Sequence, residues 1–131
     1  MEDTVLVYRD KEVEVTKEFT FDSCHQLKCY NGPCSRLHGH TYKLQVTVKG
    51  KLNKIGIVID FKELKQVVEE RVIKDLDHYN LNEFFKFNPT AENMVIWIYD
   101  ALKVYCLANN IKLVAIKLWE TPTSFAEYRG E

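Results

Sequence analysis

Strict alternation of apolar and polar side chains in two separate segments is the feature that most limits how this chain can fold. Residues 13–22, VEVTKEFTFD, place these apolar side chains on one side of an extended strand: Val13, Val15, Phe19 and Phe21. Residues 40–49 do the same with Tyr42, Leu44, Val46 and Val48. One buried and one polar face are typical of an antiparallel sheet, because a parallel sheet is usually covered on both faces.

Two stretches of helical periodicity follow these strands. A first helix is predicted from an N-cap at Asp60 to Leu76, with the apolar stripe Phe61, Leu64, Val67, Val68, Val72 and Leu76. A second is predicted from an N-cap at Thr90 to about Ala108, with the stripe Met94, Val95, Ile98, Leu102 and Tyr105. Strands are predicted at 112–120 and, more briefly, at 125–129.

This order of elements predicts one α+β domain over residues 1–131. Strands and helices do not alternate, which favours a four-stranded antiparallel sheet with two helices packed on one face. Such a sheet leaves unpaired edges and an uncovered face, so we expect the chain to form oligomers.

Charge and hydropathy exclude two classes of partner. The 18 basic and 19 acidic residues give a net charge of −1, without the positive excess of a nucleic-acid-binding surface. No segment approaches the roughly 20 apolar residues of a membrane helix, and the opening segment does not resemble a signal peptide. A cytoplasmic protein is expected, in which Cys24, Cys29 and Cys34 are thiols rather than disulfides.

Three of the four histidines predict a metal site. His38 and His40 are two residues apart and point the same way in a strand, while His25 shares the parity of the core residues in the preceding strand. Three imidazoles without a fourth protein ligand are typical of catalytic zinc, whose remaining position takes water or substrate. The alternatives are a surface turn carrying two histidines, or a structural zinc held by nearby cysteines and one histidine.

Six ordered blocks resemble the 6-pyruvoyl-tetrahydropterin synthase and 6-carboxy-tetrahydropterin synthase family. They are Phe21-Asp22-Ser23-Cys24-His25, Cys34-Ser35-Arg36-Leu37-His38-Gly39-His40, Gly56-Ile57-Val58-Ile59-Asp60-Phe61, Leu76-Asp77-His78-Tyr79-Asn80-Leu81-Asn82, Asn88-Pro89-Thr90-Ala91-Glu92-Asn93 and Glu120-Thr121-Pro122. The resemblance implies the tunnelling fold, in which trimers stack into a homohexamer around a barrel of sheets. Three residues separate Cys34 from His38, which resembles the carboxy-forming branch that feeds queuosine-type synthesis.

That branch implies a reaction and a set of site residues. The expected substrate is dihydroneopterin triphosphate, which is converted to 6-carboxytetrahydropterin with release of acetaldehyde and triphosphate. The resemblance implies zinc on His25, His38 and His40, and Cys34 as the base. It also implies a second proton-handling group in His78 with Asp77, although Asp77 could instead cap local backbone.

The resemblance also implies three substrate-binding residues. Glu120 continues the predicted apolar face of the third strand, where a carboxylate is costly without a partner, and it would anchor the pterin. Thr90 and Glu92 would lie near the pterin, although both suit the start of a helix. The alternatives are the pyruvoyl-forming sister enzyme, a pterin-binding module without catalysis, and a purely structural zinc domain.

Overall fold

A five-stranded sheet carries the helices on one face in the computed structural model, which describes residues 5–29 and 31–131. The strands are β1 (Glu12–His25), β2 (His38–Lys51), β3 (Tyr79–Asn80), β4 (Lys112–Thr121) and β5 (Ser124–Tyr128). The helices are α1 (Phe61–Val68), α2 (Lys74–Leu76), α3 (Leu81–Phe84) and α4 (Ala91–Ala108), with a π-helical turn, Glu69–Ile73, joining α1 to α2. The strand order is β3-β1-β2-β4-β5. The α+β class is confirmed.

The predictions of four strands and of a wholly antiparallel sheet are both wrong because of one additional strand, β3. β3 adds a fifth strand at the edge and runs parallel to β1, with Tyr79 beside Ser23 and Asn80 beside Cys24. A strand of two residues is too short to show alternation, so periodicity could not reveal it. β1 and β2 are antiparallel, as are β2 and β4, and β4 and β5.

The β1–β2 hairpin confirms the alternation, with one exception at its far end. The side chains of Phe21, Tyr42 and Leu44 are buried against the helices. Val13, predicted on the same face, is 42% exposed. It lies opposite Gly50, which has no side chain to cover it.

The first predicted helix begins at its expected cap, since the Asp60 carboxylate accepts the Lys62 N–H at 2.8 Å. Its buried residues recur at every fourth position: Leu64, Val68, Val72 and Leu76. A four-residue repeat drifts around an α-helix by about 40° per step. The wider π-helical turn takes up this drift and keeps the stripe on the sheet. Phe61, placed on that stripe by its spacing, is 50% exposed instead.

The second predicted helix is α4, and its stripe packs as expected. Thr90 caps it by accepting the Asn93 N–H at 3.1 Å, and Met94, Ile98 and Leu102 are buried. Tyr105 is only partly buried, and its hydroxyl donates to the Glu63 carboxylate of α1. No helix in the described part of the chain is long and apolar enough to cross a membrane.

A β-bulge changes the predicted face of β4. Thr47 lies opposite Ala115, but Val48 lies opposite Leu113, so β4 has one extra residue at Val114. Leu113 therefore joins the core, while Val114, predicted to be inward, is only half-buried. Ile116 and Leu118 lie beyond the bulge and are buried as predicted. Because side chains alternate along a strand, Glu120 lies on the same side of the sheet as Ile116 and Leu118.

Candidate functional site

Three histidine rings meet on the helix-covered side of the sheet, at the end of the β1–β2 hairpin. The antiparallel register places His25 opposite His38, and Ser23 opposite His40. His25 is fully buried, and His38 and His40 are half-buried. Ring nitrogens of all three lie within 4.8 Å of one another. The predicted histidines therefore converge.

Backbone carbonyls orient two of the three rings. His25 Nδ1 donates to the Pro89 carbonyl and His38 Nδ1 donates to the Arg36 carbonyl, each at 2.7 Å. A carbonyl oxygen only accepts, so both Nδ1 atoms carry the proton and the neutral rings present Nε2 lone pairs. These two Nε2 atoms are 3.0 Å apart. A shared cation stabilises such an arrangement, and backbone partners of this kind are common behind metal-binding histidines.

His40 supplies the third nitrogen. Its Nε2 is buried and has no hydrogen-bond partner. Burial lowers the pKa of His40, which favours the neutral ring that binds metal ions. A buried nitrogen left unpaired costs about 1–3 kcal/mol. The three converging imidazoles thus fit a divalent ion that prefers nitrogen ligands of this kind.

Glu120 reaches into this cluster from β4. Its Oε1 lies 3.2 Å from His25 Nε2 and 3.5 Å from His40 Nε2, and its side chain is 30% exposed. The sequence placed Glu120 on this face but gave no reason to expect it against the histidines, because that contact depends on the β2–β4 register.

Asp77 and His78 form a hydrogen-bonded pair beside β1. His78 Nδ1 donates to Asp77 Oδ1 at 2.9 Å, and the same oxygen accepts the Asp22 N–H at 3.0 Å. The Asp22 N–H is the main reason that the pKa of Asp77 is lowered. Asp77 therefore binds the backbone of β1 and also contacts the His78 ring. His78 has φ of 55° and its side chain is 76% exposed.

Asp22 and Thr41 also belong to this corner, and the sequence analysis gave neither a role. The Thr41 hydroxyl donates to Asp22 Oδ1 at 2.5 Å, and the Asp22 carbonyl accepts the His78 N–H at 2.6 Å. The signal was present in the first matched block, in which Asp22 precedes Ser23-Cys24-His25. These bonds fix the left-handed turn that presents the His78 ring.

Two cavities adjoin the histidine cluster. One of about 550 Å³ lies over the pair, and its lining includes Asp22, Cys24, Thr41, His78 and Tyr79. The other, of about 500 Å³, is lined in part by Lys43, Trp119, Glu120, Thr121 and Pro122. Both share Gly39, His40 and Thr41. His40 therefore stands between two spaces large enough for a small ligand.

The remaining predicted residues are more scattered. Cys34 is half-buried in a short 3₁₀ turn, Pro33–Ser35, and its carbonyl accepts the Leu27 N–H at 2.9 Å. Within residues 5–29 and 31–131 no hydrogen bond or ion pair joins Cys34 to Asp77 or His78. Thr90 caps α4, and Glu92 is exposed in the first turn of that helix.

Two asparagines hold the segment that follows His25, a contact that the sequence did not reveal. Asn82 accepts the Gln26 N–H at 2.7 Å and donates to the Gln26 carbonyl at 2.8 Å. Asn88 does the same for Lys28, at 2.8 and 2.7 Å. We call Asn82 and Asn88 the asparagine clamp. Each side-chain amide makes the pair of backbone hydrogen bonds that a neighbouring strand would otherwise make to the segment leading to Cys34.

Known proteins match nearly the whole chain. A family model described as 6-pyruvoyl tetrahydropterin synthase matches residues 14–131. The 6-carboxy-5,6,7,8-tetrahydropterin synthase of Haemophilus influenzae is 37% identical, over 88% of this chain and 98% of that protein. The dihydroneopterin monophosphate aldolase of Pyrococcus furiosus is 43% identical, over 77% of this chain and 83% of that protein. The solved 6-pyruvoyl tetrahydropterin synthase of Caenorhabditis elegans superposes with a TM-score of 0.82 at 27% identity, covering 95% of this chain and 100% of that one.

Proposed function

Because the chain belongs to the 6-pyruvoyl tetrahydropterin synthase family, and is an enzyme of that lyase type, we propose a specific reaction for it. It converts 7,8-dihydroneopterin triphosphate and one water to 6-carboxy-5,6,7,8-tetrahydropterin, acetaldehyde and triphosphate. The similarity to the Haemophilus influenzae carboxytetrahydropterin synthase supports this product. The observation that carries the proposal is the convergence of ring nitrogens from three histidines within 4.8 Å of one another, beside a buried His40 Nε2 without a hydrogen-bond partner.

His25, His38 and His40 would hold zinc, the ion that most often binds three imidazoles at a catalytic site. When bound, zinc supplies positive charge that polarises the side-chain hydroxyls of the substrate and eases loss of a neighbouring proton. The chain prepares its ligands for this task, because the Pro89 and Arg36 carbonyls fix the rings of His25 and His38. Because these two rings are already fixed by hydrogen bonds, they do not lose side-chain freedom when the ion binds.

Glu120 would anchor the pterin ring. A carboxylate can accept the exocyclic amino group and the adjacent ring N–H with its two oxygens, an arrangement that fixes orientation. The cavity lined by Glu120 is also lined by Trp119 and Lys43. Thr90 and Glu92 would lie near the pterin from the start of α4, in addition to the capping role of Thr90.

Proton transfer would fall to Cys34 and to the Asp77–His78 pair. Cys34 takes a proton from the substrate side chain, and His78 handles a second one with its ring held by Asp77. The cavity over His78 is also lined by His40, so a ligand there would lie beside both the pair and one of the three histidines. We expect a homohexamer, in which neighbouring chains cover the open face of the sheet.

A second reaction deserves its own test because of the Pyrococcus furiosus relative, which is an aldolase. An aldolase breaks the carbon–carbon bond beside a hydroxyl, and the same base and metal ligands could serve this cleavage. The pterin product would then keep one side-chain carbon as a hydroxymethyl group, and the other fragment would be a phosphorylated two-carbon aldehyde.

The deciding experiment is incubation of the zinc-loaded protein with dihydroneopterin triphosphate, followed by mass spectrometry of all products and an acetaldehyde assay. Carboxytetrahydropterin with equal acetaldehyde is the expected result. A pyruvoyl product, or a hydroxymethyl pterin, would assign the sister reaction or the aldolase reaction instead. Binding without turnover would leave a pterin-binding module.

A pair of thiol variants makes this experiment specific. Cys34→Ala should abolish turnover, whereas Cys29→Ala should retain it, since the exposed Cys29 has no role in the proposed chemistry. Equal activity in the two variants would remove Cys34 from the mechanism.

A further inference from the structure

A slot opens between β2 and β4 next to Glu120. The pairing of the two strands ends at Lys43 and Trp119, although both strands extend beyond this pair. The cavity of about 500 Å³ that Glu120 lines takes most of its walls from the two strands at and beyond this pair. A small ligand can therefore enter between the strands instead of lying on only one face of the sheet.

The two faces of the sheet contribute different chemistry to this cavity. Glu120 lies on the helix-covered side, on which Leu44 and Leu118 are buried. Lys43 and Trp119 are the sequence neighbours of these leucines, so their side chains lie on the open face. A ligand in the slot thus meets a carboxylate on one side of the sheet and an ammonium group on the other.

Two contacts hold the Lys43 ammonium group over the open face. Its Nζ lies 4.6 Å from the ring centroid of Trp119 and 3.4 Å from Glu18 Oε2. The same Glu18 oxygen accepts the Gln45 side-chain N–H at 2.9 Å, which fixes the carboxylate. An ammonium group has three hydrogens to donate, so this arrangement leaves donors for an anion.

The charges of the two cavities beside His40 decide where an anion would lie. Among the residues that the structure describes, Lys43 is the only lysine or arginine that lines either cavity. The cavity over the pair is lined by the Asp22 carboxylate instead, and any charge on His78 is balanced by Asp77 at 2.9 Å. Phosphate groups are repelled by a carboxylate and attracted by an ammonium group, so they favour the slot.

We propose that Lys43 binds the triphosphate of the substrate and thereby determines the preference of the enzyme for a phosphorylated pterin. This inference rests on the proposed function, in which Glu120 accepts the pterin ring on the helix-covered side. The substrate side chain then passes His40 in the slot, and its phosphates reach Lys43 on the open face. The Glu120 carboxylate and the phosphates are thus kept on opposite sides of the sheet.

Binding of two oxidised substrate analogues tests the inference without turnover. Neopterin triphosphate and neopterin share the pterin ring and differ in the triphosphate, and calorimetry measures the affinity of each for the zinc-loaded protein. We expect Lys43→Met to bind neopterin triphosphate roughly tenfold or more weakly, because a hydrogen bond between charged groups is lost. Its affinity for neopterin should equal that of the wild type.

Lys117→Met is the matched control. Lys117 Nζ lies 5.4 Å from the ring centroid of Phe125 on the same open face, but Lys117 does not line the slot. This variant should bind both analogues as the wild type does. Glu18→Gln tests the opposite sign, since it removes a carboxylate that competes with the phosphates for Lys43, and neopterin triphosphate should bind about two- to fivefold more tightly.

Unchanged binding of neopterin triphosphate by Lys43→Met, or an equal loss of both analogues, would overturn the inference and leave the proposed function intact. An equal loss of the triphosphate analogue in Lys117→Met would overturn it too, because the open face would then act only through its overall charge. Failure of the wild type to bind either analogue would contradict the proposed function as well. Should Lys43→Met not fold, Glu18→Gln decides, and binding of neopterin triphosphate no tighter than in the wild type would refute the role of Lys43.

Discussion

Removal of one half of the asparagine clamp should loosen the segment between His25 and Cys34 without damage to the core. Asn88→Ala deletes two neutral hydrogen bonds to the Lys28 backbone, of 2.8 and 2.7 Å. Each such bond contributes about 0.5–1.5 kcal/mol net, so the variant should lose about 1–3 kcal/mol. The lower half of that range is expected, because Lys28 is exposed and water can replace the lost partner.

The same loss should be visible as local opening. A change of about 1–3 kcal/mol raises the open population of the segment by about five- to 150-fold. Hydrogen exchange should therefore accelerate at the Lys28 amide, while the Gln26 amide, which Asn82 still holds, changes less. Urea unfolding, at one fixed protein concentration because the chain is expected to oligomerise, gives the global free energy.

Activity decides whether the asparagine clamp positions the site. We expect kcat/KM of Asn88→Ala to fall, since the open segment no longer holds Cys34 in place. Asn109→Ala is the control, because it removes one side-chain bond to the Tyr105 carbonyl at the other end of α4. Exchange at Lys28 that equals the wild type, together with unchanged kcat/KM, would refute the reasoning.

Three further substitutions test separate parts of the site. His40→Ala should reduce the bound zinc from about one ion per chain to nearly none, measured by atomic emission, and retained zinc would remove His40 from the ligand set. Asp77 has a lowered pKa, so its contribution to stability is present above its ordinary pKa and is lost as pH falls through the lowered value. Asp77→Asn should therefore flatten the decline in the free energy of unfolding, measured with urea, as pH falls below about pH 5, and an unchanged decline would contradict this. Thr90→Ala should cost about 1 kcal/mol through the lost cap, and an unchanged KM would show that Thr90 has no role in pterin binding.

Periodic elements of this fold could be predicted from the sequence because their patterns are local. The Asp60 and Thr90 caps, the buried stripe of α4 and the β2 core face all follow from spacings of two to four residues. The convergence of His25 with His38 and His40 also follows, since it needs only strand parity and a hairpin that pairs neighbours. In each case the information lies within one or two adjacent elements.

Features that depend on distant pairing could not be predicted in the same way. The extra residue at Val114 reversed the face of Leu113, and only the pairing with β2 reveals it. β3 forms because the turn at His78 brings two residues beside β1, and two residues carry no period. The contact of Glu120 with the histidines depends on the order and register of the strands.

The asparagine clamp shows the limit most clearly. Asn82 binds Gln26 across 56 positions, and Asn88 binds Lys28 across 60. Both asparagines also suit loops and helix starts, so their local sequence gives no sign of a distant partner. The assembly of chains into a hexamer stays a prediction for the same reason, since its contacts lie between molecules.

The histidine cluster as a catalytic metal centre is tested most directly by reconstitution. Protein stripped of metal with a chelator is supplied with increasing zinc, and turnover of dihydroneopterin triphosphate is plotted against bound zinc per chain. Turnover that rises in proportion to zinc and levels off at about one ion per chain is the expected result. Full turnover by the stripped protein would contradict the role given to His25, His38 and His40.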